Sequence, residues 1–200
     1  MWLQENKVYE LTLGLDLAGS PTRPTGYAYM KSGLRMGLLY TDEEILKLAR
    51  GFSYVFVDAP LSIPMGRSSL KERGPHFREC DLMLKRQGIR FFPLSLGPMR
   101  KLTERGIGLA EVLRGEGLEV FETFPGALYD ILRVKRKDGK AIVALYRELG
   151  LELEDRTYSQ DELDAVACWL SGVCYLMGKA HIFSGKDGAI VVGSSHCFRT

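Results

Sequence analysis

Between residues 8 and 16 apolar side chains alternate with small or polar ones: Tyr9, Leu11, Leu13 and Leu15 on one face, Glu10, Thr12, Gly14 and Asp16 on the other. A period of two predicts a β-strand over 8–16. Residues 19–26 are rich in turn formers, and the apolar stretches at 25–30 and 34–40 flank Lys31-Ser32-Gly33. Three short strands joined by tight turns predict an antiparallel meander. Thr41 and Glu44 have capping-box spacing, and Ile45, Leu48, Ala49 and Phe52 follow at helical intervals, which predicts a helix over 42–51. The run at 54–58 is almost wholly apolar and closes on Asp58-Ala59-Pro60, as expected of a central strand covered on both faces. Strand, helix and strand in succession predict a right-handed parallel crossover.

Residues 61–100 are the least regular part and read as a basic functional insertion, with one helix over 77–86. A helical stretch over 99–114 leads to a third parallel strand at 119–124, stopped by Pro125, and three more helical stretches follow. The last opens on a second capping box, Ser159 with Glu162, and carries Leu163, Val166, Ala167, Leu170, Val173, Cys174 and Met177 on a broad apolar face. No internal repeat or polar linker divides the chain, so residues 1–200 read as a single domain.

Composition narrows the class. With 46% hydrophobic and 26% charged residues, the chain suits one globular domain, able to bury roughly 70% of the surface it exposes when unfolded. A disordered, collagen-like or disulfide-stapled chain is excluded. The longest apolar runs fall far short of the ~20 residues that span a bilayer, and residues 1–7 lack the apolar core of a secretory signal. The expectation is a cytoplasmic protein with no membrane partner. The four cysteines, Cys80, Cys168, Cys174 and Cys197, show no CxxC spacing and read as buried thiols that stay unbridged.

Charge is unevenly spread. Residues 67–105 carry ten Lys or Arg against four acids, net +6, and residues 133–140 carry five against one, net +4; the total of +2 leaves −8 for the rest. Two basic segments on an acidic remainder are the footprint of a polyanion partner, with a solvated basic surface as the plain alternative.

The acids point further. Asp16, Asp58 and Glu122 each fall at or near the carboxyl end of a strand, and these strands are expected to be neighbours. The meander lies to one side of the first strand and the crossover to the other, so strand order reverses there, and ligands bind in the crevice beyond such a reversal. Asp161 and Asp164, three apart, share a face of the final helix. Carboxylates gathered in a partly dry site repel unless a cation lies between them. Oxygen-only ligands point to Mg²⁺ or Mn²⁺, and a pair of such ions activates water and steadies the leaving oxygen of a phosphodiester. Each acid also has a structural alternative: Asp16 as a strand end, Asp58 as a turn initiator, Asp161 as a helix-dipole partner, Glu122 as a surface or ion-paired group; Asp164, deeper on the broad apolar face of its helix, is the hardest to assign a purely structural role. His76, His181 and His196 show no ligand spacing, and no phosphate-binding Gly-Lys-Ser/Thr loop is present.

Taken together, Gly14-Leu15-Asp16-Leu17-Ala18, Val57-Asp58-Ala59-Pro60-Leu61, Arg78-Glu79-Cys80-Asp81, Phe121-Glu122-Thr123-Phe124-Pro125, Lys140 and Asp161-Glu162-Leu163-Asp164-Ala165 resemble the ribonuclease H-like nucleases of domain-of-unknown-function family 429, across nearly the whole chain. The resemblance implies an α/β ribonuclease H-like fold, a five-stranded mixed sheet in order 3-2-1-4-5 with helices on both faces. It also implies a metal-dependent nuclease acting on RNA or DNA. By likeness to the junction resolvases of the wider superfamily, Asp16, Asp58, Asp161 and Asp164 carry over as catalytic acids. Glu122 belongs to the narrower family's pattern and enters as an auxiliary one, with Asp16, Asp58, Glu122 and Asp164 as metal ligands. Arg78, Arg86 and Lys140 are candidate phosphate contacts. Two other readings stay open: a noncatalytic polyanion-binding module, and an ATP-handling phosphotransferase of the same fold, whose first phosphate loop Asp16-Leu17-Ala18-Gly19-Ser20 faintly resembles.

Overall fold

A computed structural model of the chain describes residues 7–198; of the segment read as lacking a secretion signal, all but Lys7 lies outside it. A 3-10 helix, Lys7–Leu11, leads into β1, Thr12–Asp16. The strand is therefore shorter than its alternating pattern predicts. The alternation also misleads about exposure, because Thr12 and Gly14 are as buried as Leu13 and Leu15: β1 is covered on both faces.

The meander continues through β2, Thr25–Met30, and β3, Leu34–Leu39, followed by α1, Asp42–Ala49, with both halves of its capping box formed. β4, Tyr54–Val57, lies parallel to β1, as the crossover argument requires. The chain then forms α2, Glu79–Arg86, α3, Gly97–Gly115, and β5, Glu119–Glu122, which lies parallel to β4. The sheet order is β3-β2-β1-β4-β5, five strands of mixed direction. α4, Pro125–Ile131, α5, Gly139–Glu148, and α6, Gln160–Leu176, complete the helices. Among the described residues no helix is long and apolar enough to cross a membrane.

The two faces of the sheet carry separate cores. Leu13, Leu15, Val55, Val57 and Val120 pack with Ile45 and Ala49 of α1 and Leu109, Ala110 and Leu113 of α3. On the other face α6 lies against β1 and β2, and Phe56 packs on Cys168. The close approach of α6 depends on glycines. A Cβ at Gly14 would strike the backbone of Ala165 and Trp169, one at Gly26 the backbone of Asp161, and one at Gly172 the Phe56 ring.

Two features depart from the sequence reading. A hairpin of β6, Ala180–Gly185, and β7, Gly188–Gly193, follows α6, and Val191 bridges Thr123 just beyond β5. Its tip organises residues 61–100: Asp187 accepts from the backbone of Glu79 at 2.8 Å and of Met65 at 3.0 Å. Inside that segment the Arg67 guanidinium donates to the carbonyls of Ser69, Leu70, Glu72, Gly74 and Pro75, so one side chain replaces a backbone ladder. The second departure is a disulfide between Cys174 and Cys197, with Cα atoms 5.8 Å apart. The expectation of four unbridged thiols is corrected; Cys80 and Cys168 alone remain free and buried.

Candidate active site

The position of each aspartate follows from strand parity. Leu15 pairs with Val57 and both enter the core under α1 and α3, so the next residues, Asp16 and Asp58, turn to the α6 face side by side. The Asp58 amide donates to the Leu15 carbonyl at 2.8 Å, which keeps the two in register. On its other side Asp16 pairs with Gly26, the residue whose bare backbone lets Asp161 of α6 settle onto the sheet. One turn later the same helix face brings Asp164, and the turn after that Cys168, whose thiol reaches the Leu15 carbonyl at 3.3 Å.

The capping box decides which acids of α6 are available. Glu162 is consumed by Ser159, whose amide donates to it at 2.9 Å, and by Arg156 at 2.8 Å. Asp161 and Asp164 carry no ion pair, nor do Asp16 and Asp58, among the described residues. Asp164 is instead oriented by neutral donors, Tyr129 Oη at 2.8 Å and Gln160 Nε2 at 2.8 Å. Behind it the Tyr129 hydroxyl meets Tyr146 Oη at 3.1 Å, and Tyr146 donates to the Leu163 carbonyl at 2.7 Å.

Electrostatics record the crowding. Burial first, then the negative charges of Asp58, Asp164 and Asp161, hold the Asp16 carboxyl well above the usual range. At Asp58 burial, Asp164 and Glu122 act in the same direction, opposed by a hydrogen bond with Asp16 and by the charge of Arg136. Asp164 is pushed up to about 6 by burial, with Tyr129 and Gln160 pulling the other way. A row of oxygen donors that destabilise one another's charge is chemically suited to a hard divalent cation.

Spacing limits how such an ion is held. Among the described residues no three His, Cys, Asp or Glu side chains cluster closely enough to enclose a metal. Asp16 lies within hydrogen-bonding reach of Asp161 on one side and Asp58 on the other, so the acids offer adjacent pairs and not a closed cage. Mg²⁺ ordinarily keeps several waters and takes one or two carboxylates together with substrate phosphate. The donor set fits ions held in that open manner.

Glu122 is the clearest departure. It pairs with Val57, the residue before Asp58, and lines the same cavity as Asp58, close enough for its charge to raise the Asp58 carboxyl. There both its oxygens accept from Arg78 at 2.6 Å, and Oε2 also accepts from the Leu61 amide at 2.8 Å. Arg78 is 1% exposed and binds Asp81 and Ser62 as well. The structure thus engages both residues with each other, where the sequence reading makes Glu122 a metal ligand and Arg78 a phosphate contact. They form a buried ion triad with Asp81 that ties the start of α2 to β5, and removing one member would leave an uncompensated charge. Arg86 and Lys140 are exposed, on the last turn of α2 and the first turn of α5.

Sequence reasoning missed Tyr129, Gln160 and Arg136. Gln160 is four residues before Asp164 on the same helix face, a signal available in the spacing. Tyr129 had none, being brought in by α4, and Arg136 entered only as one charge of the basic segment 133–140. Arg136 binds Asp130 at 2.9 Å and the Arg90 carbonyl at 2.7 Å, with its guanidinium 5.2 Å from the Phe124 ring centre. It lines a cavity of about 690 Å³ that opens beside Asp58. No family model matches the chain, and neither do any of the curated proteins or solved structures compared with it.

Proposed function

We propose that the protein is a metal-dependent nuclease that hydrolyses phosphodiester bonds in RNA or DNA, built on a ribonuclease H-like sheet. The observation that carries this reading is the gathering of Asp16, Asp58, Asp161 and Asp164, without ion-paired partners among the described residues, where strand order reverses beside β1. The order β3-β2-β1-β4-β5 is the one the family resemblance implies, which supports the same reading.

Asp16 and Asp58 present neighbouring oxygens from rigid central strands, and α6 brings Asp161 and Asp164 over them. Tyr129 and Gln160 hold Asp164 in one orientation. Mg²⁺ or Mn²⁺, when bound by these carboxylates, supplies an activated water and charge stabilisation for the leaving oxygen. Exposed cations, Arg86 and Lys140 among them, supply attraction for the phosphate backbone without reading sequence.

The test is cleavage of labelled single-stranded RNA, single-stranded DNA, hybrid, duplex and branched substrates with Mg²⁺ or Mn²⁺. Asp16→Asn is expected to lower the rate by on the order of a hundredfold or more, since even groups behind a metal ligand commonly cost 10–100-fold. Equal rates in wild type and variant would remove the reading.

A further inference from the structure

The cavity beside Asp58 is lined by Asp58 itself and by the Arg78, Asp81 and Glu122 triad, and so opens directly from the carboxylate row. Its volume of about 690 Å³ lies inside the range of sites that bury organic ligands, roughly 300–1,000 Å³. Three aromatic rings line it: Phe91 and Phe92 from the loop between α2 and α3, and Phe124 at the start of α4. Phe91 is fixed edge-on against Phe77, with ring centres 5.6 Å apart. Phe92, by contrast, is 66% exposed, an unusual state for a large aromatic next to a cavity. Lys85, Arg90 and Arg136 place cations in the same lining, and Arg136 is already held over Phe124 by Asp130 and the Arg90 carbonyl.

We propose that this cavity receives one unpaired nucleobase of the substrate strand, stacked on Phe92, while the adjoining phosphates run between the cations and the carboxylate row. The inference rests on the nuclease reading and specifies its substrate as a strand with a base out of the helix. Aromatic faces and positive charge along one path are what binding of a single strand requires, because every base offers a π-face and every linkage a negative charge. A base inside a duplex is stacked on both sides and presents no face to Phe92. Position favours a base over a free small molecule: Asp58 itself lines the cavity, so a base here brings its own phosphodiester towards the acids.

The experiment measures binding by fluorescence anisotropy in EDTA, so that no cleavage occurs, using a labelled oligothymidylate of about 12 nucleotides and a blunt duplex of equal length. Wild type is expected to prefer the single strand. Phe92→Ala is expected to weaken single-strand binding about tenfold, in line with the measured worth of one base–aromatic stack, and to leave duplex binding unchanged. Phe92→Tyr, which keeps the ring, restores it. Circular dichroism checks that each variant is folded. Single-strand affinity indifferent to Phe92→Ala, or duplex affinity falling in parallel, overturns the proposal. Binding that depends on Phe92 in a protein that cleaves nothing supports the base site while removing the nuclease reading, so the two failures are distinguishable.

Discussion

Asp16, Asp58 and Asp164 are all held above the ordinary carboxylate range, and burial is the first cause at each. The sign of the consequence is fixed by linkage: a carboxyl whose pKa is raised by folding binds its proton more tightly in the native state. Its contribution to stability is complete below the unfolded value and is lost as pH rises through the folded one, about 6 for Asp164. Without a divalent cation the protein is therefore expected to lose stability between about pH 4 and pH 7 at this site. Asp16→Asn in EDTA should melt above wild type at pH 7, by about 2–4 °C for each kcal/mol of relieved repulsion, with the gap closing near pH 4. Mn²⁺ should raise the melting temperature of wild type and not of the variant. Differential scanning fluorimetry checks both, and a variant that melts below wild type throughout contradicts the account. Glu122 shows why residue type alone misassigns a role: its burial is compensated by Arg78, 44 positions away in sequence, and no local spacing announces that pair.

Elements with local causes were legible. Both capping boxes form, at Thr41 with Glu44 and at Ser159 with Glu162, because the residues that satisfy the first amides of a helix lie within one turn of each other. The β6–β7 hairpin also had a local signal that went unread: Gly185-Lys186-Asp187-Gly188 stands between two apolar runs, and the two-residue loop Lys186-Asp187 closes the register there. The approach of α6 to the sheet is the element-level determinant of the site. Gly14→Ala forces α6 away from β1, and overpacking of this kind costs about 1–3 kcal/mol. Urea unfolding is expected to show that loss. Cleavage measured well below the unfolding midpoint should fall further than the unfolded fraction accounts for, because Asp161 and Asp164 move with the helix. A variant of unchanged stability and activity would show that the contact is not tight.

For the whole molecule, three of the ten cations counted at 67–105 are spent internally: Arg67 on loop carbonyls, Arg78 in the buried triad, and Arg105 on Asp42 and the carbonyls of Ala18 and Ser20. The polyanion footprint is correspondingly smaller than the linear charge pattern suggests. The Cys174–Cys197 bridge fastens the chain after β7 to the C-terminal part of α6, closing a loop of 23 positions. Closure of that length is worth about 3 kcal/mol, so reduction should lower the melting temperature by several degrees. Thiol titration in denaturant should find two reactive cysteines before reduction and four after; four before reduction would refute the bridge.

The order of the five sheet strands and of the helices, the two caps and the placing of acids at strand ends are written in the chain, because periodicity, turn chemistry and capping act over a few residues. Which acids share a face was also readable in part, through the two-residue pleat and the helical repeat. The partners of Glu122, the disulfide, the tyrosines behind Asp164 and the cavity beside Asp58 were settled only by packing. Each joins segments far apart in sequence, and such pairings leave no periodic trace; they exist only once the backbone has brought the segments together.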